Sequence, residues 1–308
     1  MAREKVIYVC GGEGTIPGKM IFRSAAFRYA HPRKFSNGID LIIFDYHNDR
    51  IELFPDWKGW DGKVPPPKGP FQRLRRSPHP VELYNKIASL GGSDPGCLIG
   101  LHFFTHGTFE NGFSFGPVGP SSENAFFQQF HGVDLWAFKA AFSRNALIKL
   151  WGCGGHAGSV SDQFNIKNLT LSYCAIRNKK TQDKRQAQIE AHIRNMYARR
   201  LAYLLDLTVW ATPPGWSSEI DLPHNRPYID EWNPQTGPNK NSCWWRVDRF
   251  LDGDGAYFYR DILGASIDPT GYVGITEQMS QAPPPSPEKI RCPKSANKVP
   301  DLLKDFPR

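Results

Sequence analysis

Residues 98–107 have the sequence LIGLHFFTHG, an apolar run that ends in a histidine and a glycine. A second run, ALIKLWGCGGHAG at residues 146–158, passes into a cysteine that is followed by two glycines. Each run is short and almost continuously apolar, which is typical of a strand covered on both faces in a parallel sheet. The two segments therefore predict two buried strands, each of which delivers one reactive side chain, His106 or Cys153, at its carboxyl end.

Three further apolar runs, rich in β-branched and aromatic residues, predict additional strands before and after these two. The five predicted strands are Lys5–Cys10, Ile39–Tyr46, Leu98–Thr105, Ala146–Gly152 and Leu207–Ala211. Helical patterns between most of them cover Pro80–Leu90, Asp134–Ser143 and Thr181–Leu205. Strands that alternate with helices predict an α/β fold, and we expect a three-layer α/β/α sandwich with a mostly parallel sheet.

Local signals set the expected ends of these elements. Gly91 and Gly92 predict the C-terminus of the first helix, and Asp134 is suited to cap the second at its N-terminus. The stretch Thr181–Leu205 carries one apolar stripe at three- and four-residue steps, so it is predicted as a single long helix. Phe54–Pro80, which contains VPPPKGP and RLRR, predicts a long loop.

Composition divides the chain into three regions. Residues 1–220 hold all the predicted strands and form the expected α/β domain. Residues 221–278 are rich in Trp and Pro and predict an extension packed on that core. Residues 279–308, with the string APPPSP and scattered lysines, predict a disordered tail.

Bulk composition limits the compartment and the partners. The 308 residues include six cysteines, none in CxxC spacing, and this predicts a reducing compartment such as the cytoplasm. The N-terminus does not resemble a secretory signal, so export would use a route without a signal peptide. No window of about 18 uncharged apolar residues is present, so no membrane span is expected.

The net charge is +8, and part of it comes from a basic cluster around the longest predicted helix. Its members are Lys179, Lys180, Lys184, Arg185, Arg194, Arg199 and Arg200. Few aromatic residues are interleaved with them, and this favours a solvated helix face over a nucleic-acid footprint.

His106 and Cys153 together form a candidate catalytic dyad. In open α/β sheets ligands bind beyond the carboxyl ends of the strands, so the two side chains meet if their strands are neighbours. A histidine within hydrogen-bond distance activates a thiol to a thiolate. The adjacent glycines let backbone N–H groups approach a substrate carbonyl and form an oxyanion hole.

The order of these motifs resembles the caspase-like (clan CD) cysteine peptidases, in which an apolar strand ends in His-Gly and a second ends in Cys beside Gly. The resemblance covers roughly residues 1–220 and implies a caspase-like fold with His106 as base and Cys153 as nucleophile. It also implies that backbone N–H groups of Gly107 and of Cys153 or its neighbour Gly154 hold the oxyanion. The chain has no QACRG string, so caspase specificity is not implied.

Two other sites compete for the same residues. His102, His106, Cys153 and His156 contain zinc-ligand residue types, but two histidines four apart on a strand lie about 13 Å apart and do not share one ion. A hydrolase nucleophile elbow at Cys153 would place Trp151 where the front glycine of G-x-S-x-G belongs. That fold would take a later histidine, His224, as its base.

Three residues are candidates for contacting the substrate. In caspase-like peptidases the pocket for the residue before the scissile bond is built near the fifth strand, which here is followed by ATPPGWSSEID at residues 211–221. Trp216 is the candidate pocket wall, while Glu219 and, at the end of the second strand, Asp45 are candidates for pairing with a basic substrate side chain.

The sequence therefore predicts a cysteine endopeptidase that acts on a protein or peptide, with a preference for cleavage after a basic residue. Its chemistry needs no metal and no organic cofactor. Two alternatives stay open: a thiol hydrolase acting on a non-peptide amide or ester, and a catalytically silent caspase-like binding module. The oligomeric state is open as well.

Overall fold

The computed structural model describes residues 3–11, 21–29, 38–59, 68–74, 81–108, 112–114, 132–152, 168–170, 173, 176, 178–216, 218–220, 232–233, 237–238, 245–247, 254–268 and 271–280. The fold is α/β, as predicted, and its centre is an eight-stranded, mostly parallel mixed sheet. Among the described residues, no helix combines the length and the apolarity needed to cross a bilayer.

Strands of the main sheet are β1 (Lys5–Cys10), β2 (Ile39–Asp45), β3 (Arg50–Trp57), β4 (Phe71–Arg73), β5 (Leu98–Phe104), β8 (Phe142–Leu150), β9 (Val209–Ala211) and β14 (Val273–Ile275). Their spatial order is β14-β9-β8-β5-β1-β2-β3-β4. The five strands from β9 to β2 pair in parallel, and antiparallel strands flank them on both sides.

Among the residues that the structure describes, three two-stranded ribbons lie outside the main sheet. They are β6 (His106–Thr108) with β7 (Gly112–Ser114), β10 (Ser218–Ile220) with β13 (Trp245–Val247), and β11 (Trp232–Asn233) with β12 (Gly237–Pro238).

The helices are α1 (Ile21–Tyr29), α2 (Val81–Ser93), α3 (Leu135–Ala140), α4 (Lys179–Asn195), α5 (Tyr197–Leu205) and α6 (Asp254–Tyr257). A π-helical turn, Phe258–Ile262, continues α6, and a 3₁₀ turn, Glu277–Ser280, follows β14. Asp134 caps α3 as predicted, because its carboxylate accepts a hydrogen bond from the backbone N–H of Ala137.

The predicted two-sided burial is confirmed for β1 and β5, whereas β8 is covered only in part, since its Leu147 is 45% exposed. In β1 every residue after Lys5 is buried, and in β5 every residue except Ile99 is buried, so both faces of each strand are covered. This two-sided burial explains why the sequence of these strands is almost continuously apolar.

Three predictions about elements are wrong. The stretch predicted as a loop contains the second half of β3 and all of β4, which extend the sheet beyond β2. The long helix predicted over Thr181–Leu205 is two helices, because Met196 adopts an extended conformation between α4 and α5. The apolar stripe nevertheless faces the core, since Ile189, Ile193 and Leu201 are all buried.

The third wrong prediction concerns the end of α2, which continues through Gly91 and Gly92 to Ser93. Gly91 is buried where α2 packs on α3, and a Cβ at this position would meet the backbone carbonyl oxygen of Ala137 at 1.7 Å. Glycine is therefore required by a close helix–helix approach and not by a helix end.

Gly91→Ala is expected to destabilise the fold by about 2–4 kcal/mol, because α2 and α3 must separate to admit the methyl group. Gly92→Ala is the matched control, since a Cβ there would meet nothing within 4 Å. This second exchange should stabilise the protein by about 0.5–1 kcal/mol through helix propensity. Urea unfolding of both variants checks the prediction, and equal effects would contradict it.

Candidate functional site

The two strands that carry the candidate dyad are neighbours in the sheet. β5 and β8 pair in parallel with a constant offset of 47 positions from Gly100–Leu147 to Phe103–Leu150. His106 and Cys153 are separated by the same 47 positions, three residues beyond the last pair. Adjacent strands lie about 4.8 Å apart, so the ends of β5 and β8 lie side by side at the carboxyl edge of the sheet.

The described residues cover this edge in part. β5 ends at Phe104, Thr105 bends the chain, and the backbone of His106 and Gly107 then enters the ribbon β6–β7. The His106 side chain, Cys153 and Gly154 lie outside the described residues, and so do the rival candidates His156 and His224.

The end of β8 is held by hydrogen bonds from three directions. The backbone N–H of Trp151 donates to the carbonyl of Phe103 on β5 at 2.9 Å. The Trp151 carbonyl accepts from the Tyr272 hydroxyl at 2.8 Å, and the Gly152 carbonyl accepts from the Thr212 hydroxyl at 2.7 Å. Both hydroxyl-bearing residues are fully buried. The two peptide groups that lead to position 153 are therefore fixed by buried, charge-free donors.

A buried lysine lies next to these hydrogen bonds. The Lys149 ammonium lies 3.9 Å from the ring centre of Trp151 and 4.2 Å from that of Tyr272, and it forms a salt bridge with Asp268. Burial lowers the pKa of Lys149, and Asp268 opposes this effect. The backbone N–H of Tyr272 also donates to Asp268 at 3.0 Å. This cluster joins β8 to the segment that precedes β14.

His102 belongs to the same buried layer. Its Nδ1 accepts a hydrogen bond from the indole N–H of Trp151 at 3.3 Å, and its ring packs edge-on against Tyr8. Burial, with a smaller contribution from the positive charge of Lys149, lowers the pKa of His102 to about 3. His102 is therefore neutral at physiological pH, with Nδ1 already occupied.

The pKa of His102 predicts acid sensitivity. Its folded-state pKa of about 3 lies below the ordinary value near 6.5, so between these values only the unfolded chain takes up the proton. The contribution of neutral His102 to stability is complete above about pH 6.5 and is lost as the pH falls towards 3.

His102→Gln should make the free energy of unfolding less dependent on pH in this window, by about 1.4 kcal/mol per pH unit at most. Glutamine still accepts a hydrogen bond from Trp151 but does not titrate. Urea unfolding of both proteins at several pH values between 3 and 7 checks this. Parallel curves for the two proteins would show that His102 does not remain neutral in the fold.

Asp45 lies at the carboxyl end of β2 and is completely buried. Its carboxylate accepts hydrogen bonds from the backbone N–H and the side-chain amide of Asn48, at 3.1 and 2.7 Å. It also lies 3.7 Å from Arg23 and 3.5 Å from Arg50. Glu52, which is also fully buried, contacts the same two arginines at 2.5 and 2.7 Å. The Asp45 carboxylate, proposed from sequence to pair with a substrate, therefore pairs with two arginines of its own chain.

The other two substrate candidates occupy different settings. Trp216 is 2% exposed, and its backbone N–H donates to the carbonyl of Pro213 at 3.1 Å. Glu219 lies in β10 opposite Arg246 of β13, and its side chain lies outside the described residues. The structure therefore describes Trp216 as a core residue that follows β9, and it leaves the environment of the Glu219 carboxylate open.

Sequence reasoning missed the residues that hold the end of β8. Thr212 directly follows a predicted strand, and this position at the carboxyl edge is a signal that was present in the sequence. Tyr272 and Asp268 carry no such signal, because they lie more than 100 positions beyond the strand they contact.

Within the described part of the chain, no three His, Cys, Asp or Glu side chains are grouped closely enough to hold a metal ion. Comparisons of this chain with protein-family models, with curated proteins and with solved structures find no match.

Proposed function

We propose that this chain is a cysteine endopeptidase of caspase-like, three-layer architecture, with Cys153 as nucleophile and His106 as general base. One observation carries the proposal: β5 and β8 are hydrogen-bonded neighbours whose register offset equals the separation of the two residues. A chance pair of Cys and His has no reason to share this offset. The two residues follow the paired strand ends at the same distance along the chain, three positions beyond Phe103 and Leu150.

The surroundings of the edge support the same assignment. Gly107 directly follows the proposed base in β6. Immediately before the proposed nucleophile, the carbonyls of Trp151 and Gly152 accept hydrogen bonds from buried hydroxyl groups. A nucleophile on a rigid strand end meets the substrate in one orientation, and this preorganisation lowers the barrier.

The proposed reaction proceeds through an acyl-enzyme. His106 takes the thiol proton of Cys153, sulfur bonds to the substrate carbonyl carbon, and the carbonyl electron pair moves to oxygen. The tetrahedral intermediate collapses, the C–N bond breaks, and His106 gives the proton to the leaving amine. Water then adds to the thioester with His106 again as base, and the acid product leaves as the thiolate of Cys153 is restored.

The experiment is digestion of a peptide library that varies the residue before the cleaved bond, with products identified by mass spectrometry. Cleavage by the native protein, absent in Cys153→Ala and retained in Cys97→Ala, supports the proposal. Cys97 is a buried thiol that directly precedes β5, at the end of the strand away from His106. Burial raises the pKa of this thiol, so its removal should not affect turnover.

The same library tests the preference for a basic residue. Enrichment of Arg and Lys before the cleaved bond would assign that preference, and Glu219→Gln should then weaken it. Hydrolysis of aryl esters without peptide cleavage would favour the non-peptide hydrolase, and the absence of any covalent adduct at Cys153 would favour a silent binding module.

A further inference from the structure

Strand β4 ends the main sheet on one side, and its outer edge is exposed. All three of its residues, Phe71–Arg73, are exposed, and Phe71 is 60% exposed. The open backbone groups of an edge strand can pair with a further strand, so proteins commonly shorten or charge such an edge. β4 is short and charged, but it also presents an aromatic side chain, which does not protect an edge from pairing. This combination indicates an edge that selects its partner.

The register shows which backbone groups of β4 point outward. The N–H of Leu53 on β3 donates at 3.0 Å to the carbonyl of Pro70, the residue before β4. At the other end, the N–H of Leu74, the residue after β4, donates back to the chain before β3 at 2.9 Å. In an antiparallel pair, residues bonded to the neighbouring strand alternate with residues whose backbone groups face away from it. The N–H and C=O groups of Phe71 and Arg73 therefore face the open side of the sheet.

The side chains of β4 end two rows that cross the sheet. Arg73 lies opposite Arg50 of β3, which lies opposite Asp45 of β2. Phe71 lies opposite Glu52, and the guanidinium of Arg50 lies 5.9 Å from the centre of the Phe71 ring. Both buried carboxylates, Asp45 and Glu52, already pair with Arg50. Within the described part of the chain, no carboxylate forms a salt bridge with Arg73, so this row ends in a positive charge.

We propose that β4 is a docking edge for an extended segment of a partner protein, which adds to the sheet as an antiparallel strand. The segment carries Asp or Glu opposite Arg73 and, two residues later, an apolar residue opposite Phe71. The acidic residue completes the row of charges, and the apolar residue covers the exposed ring. Main-chain hydrogen bonds to Phe71 and Arg73 supply affinity, and the two side chains supply specificity. This docking edge does not depend on the proposed reaction of Cys153.

A second copy of this chain fits the edge less well than an acidic segment does. The sequence of β4 is FQR, so two paired copies of β4 would bring no carboxylate to Arg73. Each copy also carries a net charge of +8, which opposes self-association. Charge complementarity therefore favours an acidic partner.

The test uses the full chain and a fluorescein-labelled, threonine-rich peptide that contains one glutamate and, two residues later, one phenylalanine. Fluorescence anisotropy measures its dissociation constant. We expect Arg73→Glu to weaken binding about 5–30-fold, because a favourable cross-strand charge pair becomes a repulsive one. A peptide with lysine in place of the glutamate should show the opposite preference and bind Arg73→Glu more tightly than the native protein. Gln72→Glu is the control, since its side chain lies on the other face of β4, and it should bind within about threefold of the native protein.

Peptides methylated on one backbone nitrogen test the strand pairing itself. In the proposed register the N–H groups of the glutamate and the phenylalanine face β4, and the N–H of the residue between them faces away. A methyl group on the glutamate nitrogen should weaken binding at least about tenfold, because it removes a hydrogen bond and obstructs the close approach of the strands. A methyl group on the middle nitrogen should change the dissociation constant by less than about threefold.

Four results would overturn the docking edge. They are the absence of saturable peptide binding by the native protein, equal affinity of the native protein for the glutamate and lysine peptides, equal effects of the two methyl groups, and undiminished affinity for a peptide that lacks the phenylalanine. A native dimer in sedimentation velocity that Arg73→Glu dissociates, without peptide binding, would assign the edge to a second copy instead.

Discussion

Cys153→Ala, His106→Ala and the double variant are all expected to lose kcat/KM by about the same factor, 10⁴ or more, on the best library peptide. Nucleophile and base act as one unit, because the thiol attacks only after the histidine has taken its proton. Removal of either partner therefore removes most of the covalent route, and removal of the second adds little. Steady-state kinetics on the three variants checks this expectation.

His102→Gln is the control for these variants, because His102 lies within β5, four residues before His106, and its Nδ1 accepts a hydrogen bond from Trp151. It should retain turnover within about tenfold at pH 7, where its effect acts through packing. Losses for Cys153→Ala and His106→Ala that multiply in the double variant would show two independent roles and would contradict a dyad.

Arg23→Met is expected to destabilise the fold by about 3–5 kcal/mol, the largest effect on stability that we predict. Arg23 contacts Glu52 at 2.5 Å and Asp45 at 3.7 Å, and all three side chains are buried. Without it, two buried carboxylates share the single guanidinium of Arg50. Urea unfolding measures the loss of free energy. The dependence of the unfolding free energy on urea concentration should be the same for both proteins, as expected if each unfolds in one transition.

Two controls sharpen this test. Arg3 forms an exposed pair with Asp40 at 3.2 Å, and Arg3→Met should cost less than about 1 kcal/mol. The double variant Arg23→Met with Glu52→Leu removes one charge of each sign, so it should be more stable than Arg23→Met alone. Equal losses of unfolding free energy for Arg23→Met and Arg3→Met would show that the buried ion pairs of Arg23 contribute no more to stability than an exposed pair.

The central strands could be predicted from sequence because burial on both faces requires nearly continuous apolar residues. β1 was predicted with its observed bounds, and β2 and β5 to within one residue at their ends. β3 was not predicted, since Pro55 and Asp56 interrupt its sequence, and β14 was not predicted because three residues carry no periodicity.

Long-range contacts also limited how much of the candidate site could be predicted from the sequence. His106 and Cys153 could be proposed from sequence because each follows its own apolar strand directly. The hydroxyls that hold the end of β8 come from residues 60 and 121 positions away from the carbonyls they bind. No local pattern encodes such a contact, because it exists only once the strand order is known.

The break between α4 and α5 has a different origin. Met196 is buried and extended, and the sequence around it contains neither glycine nor proline. Tertiary packing therefore overrides the helical pattern at this residue. The end of α2 shows the reverse case, in which two glycines signal a helix end but one of them serves a close approach of helices.

The pH dependence of alkylation by iodoacetamide, followed at each cysteine by peptide mapping from about pH 5 to 9, tests the dyad most directly. The account predicts selective labelling of Cys153 near neutral pH, with an apparent pKa below the ordinary thiol value of about 8.5. His106→Ala should return this apparent pKa to about 8.5. Labelling of Cys153 that is no faster than that of buried Cys97, and unchanged in His106→Ala, would contradict the account.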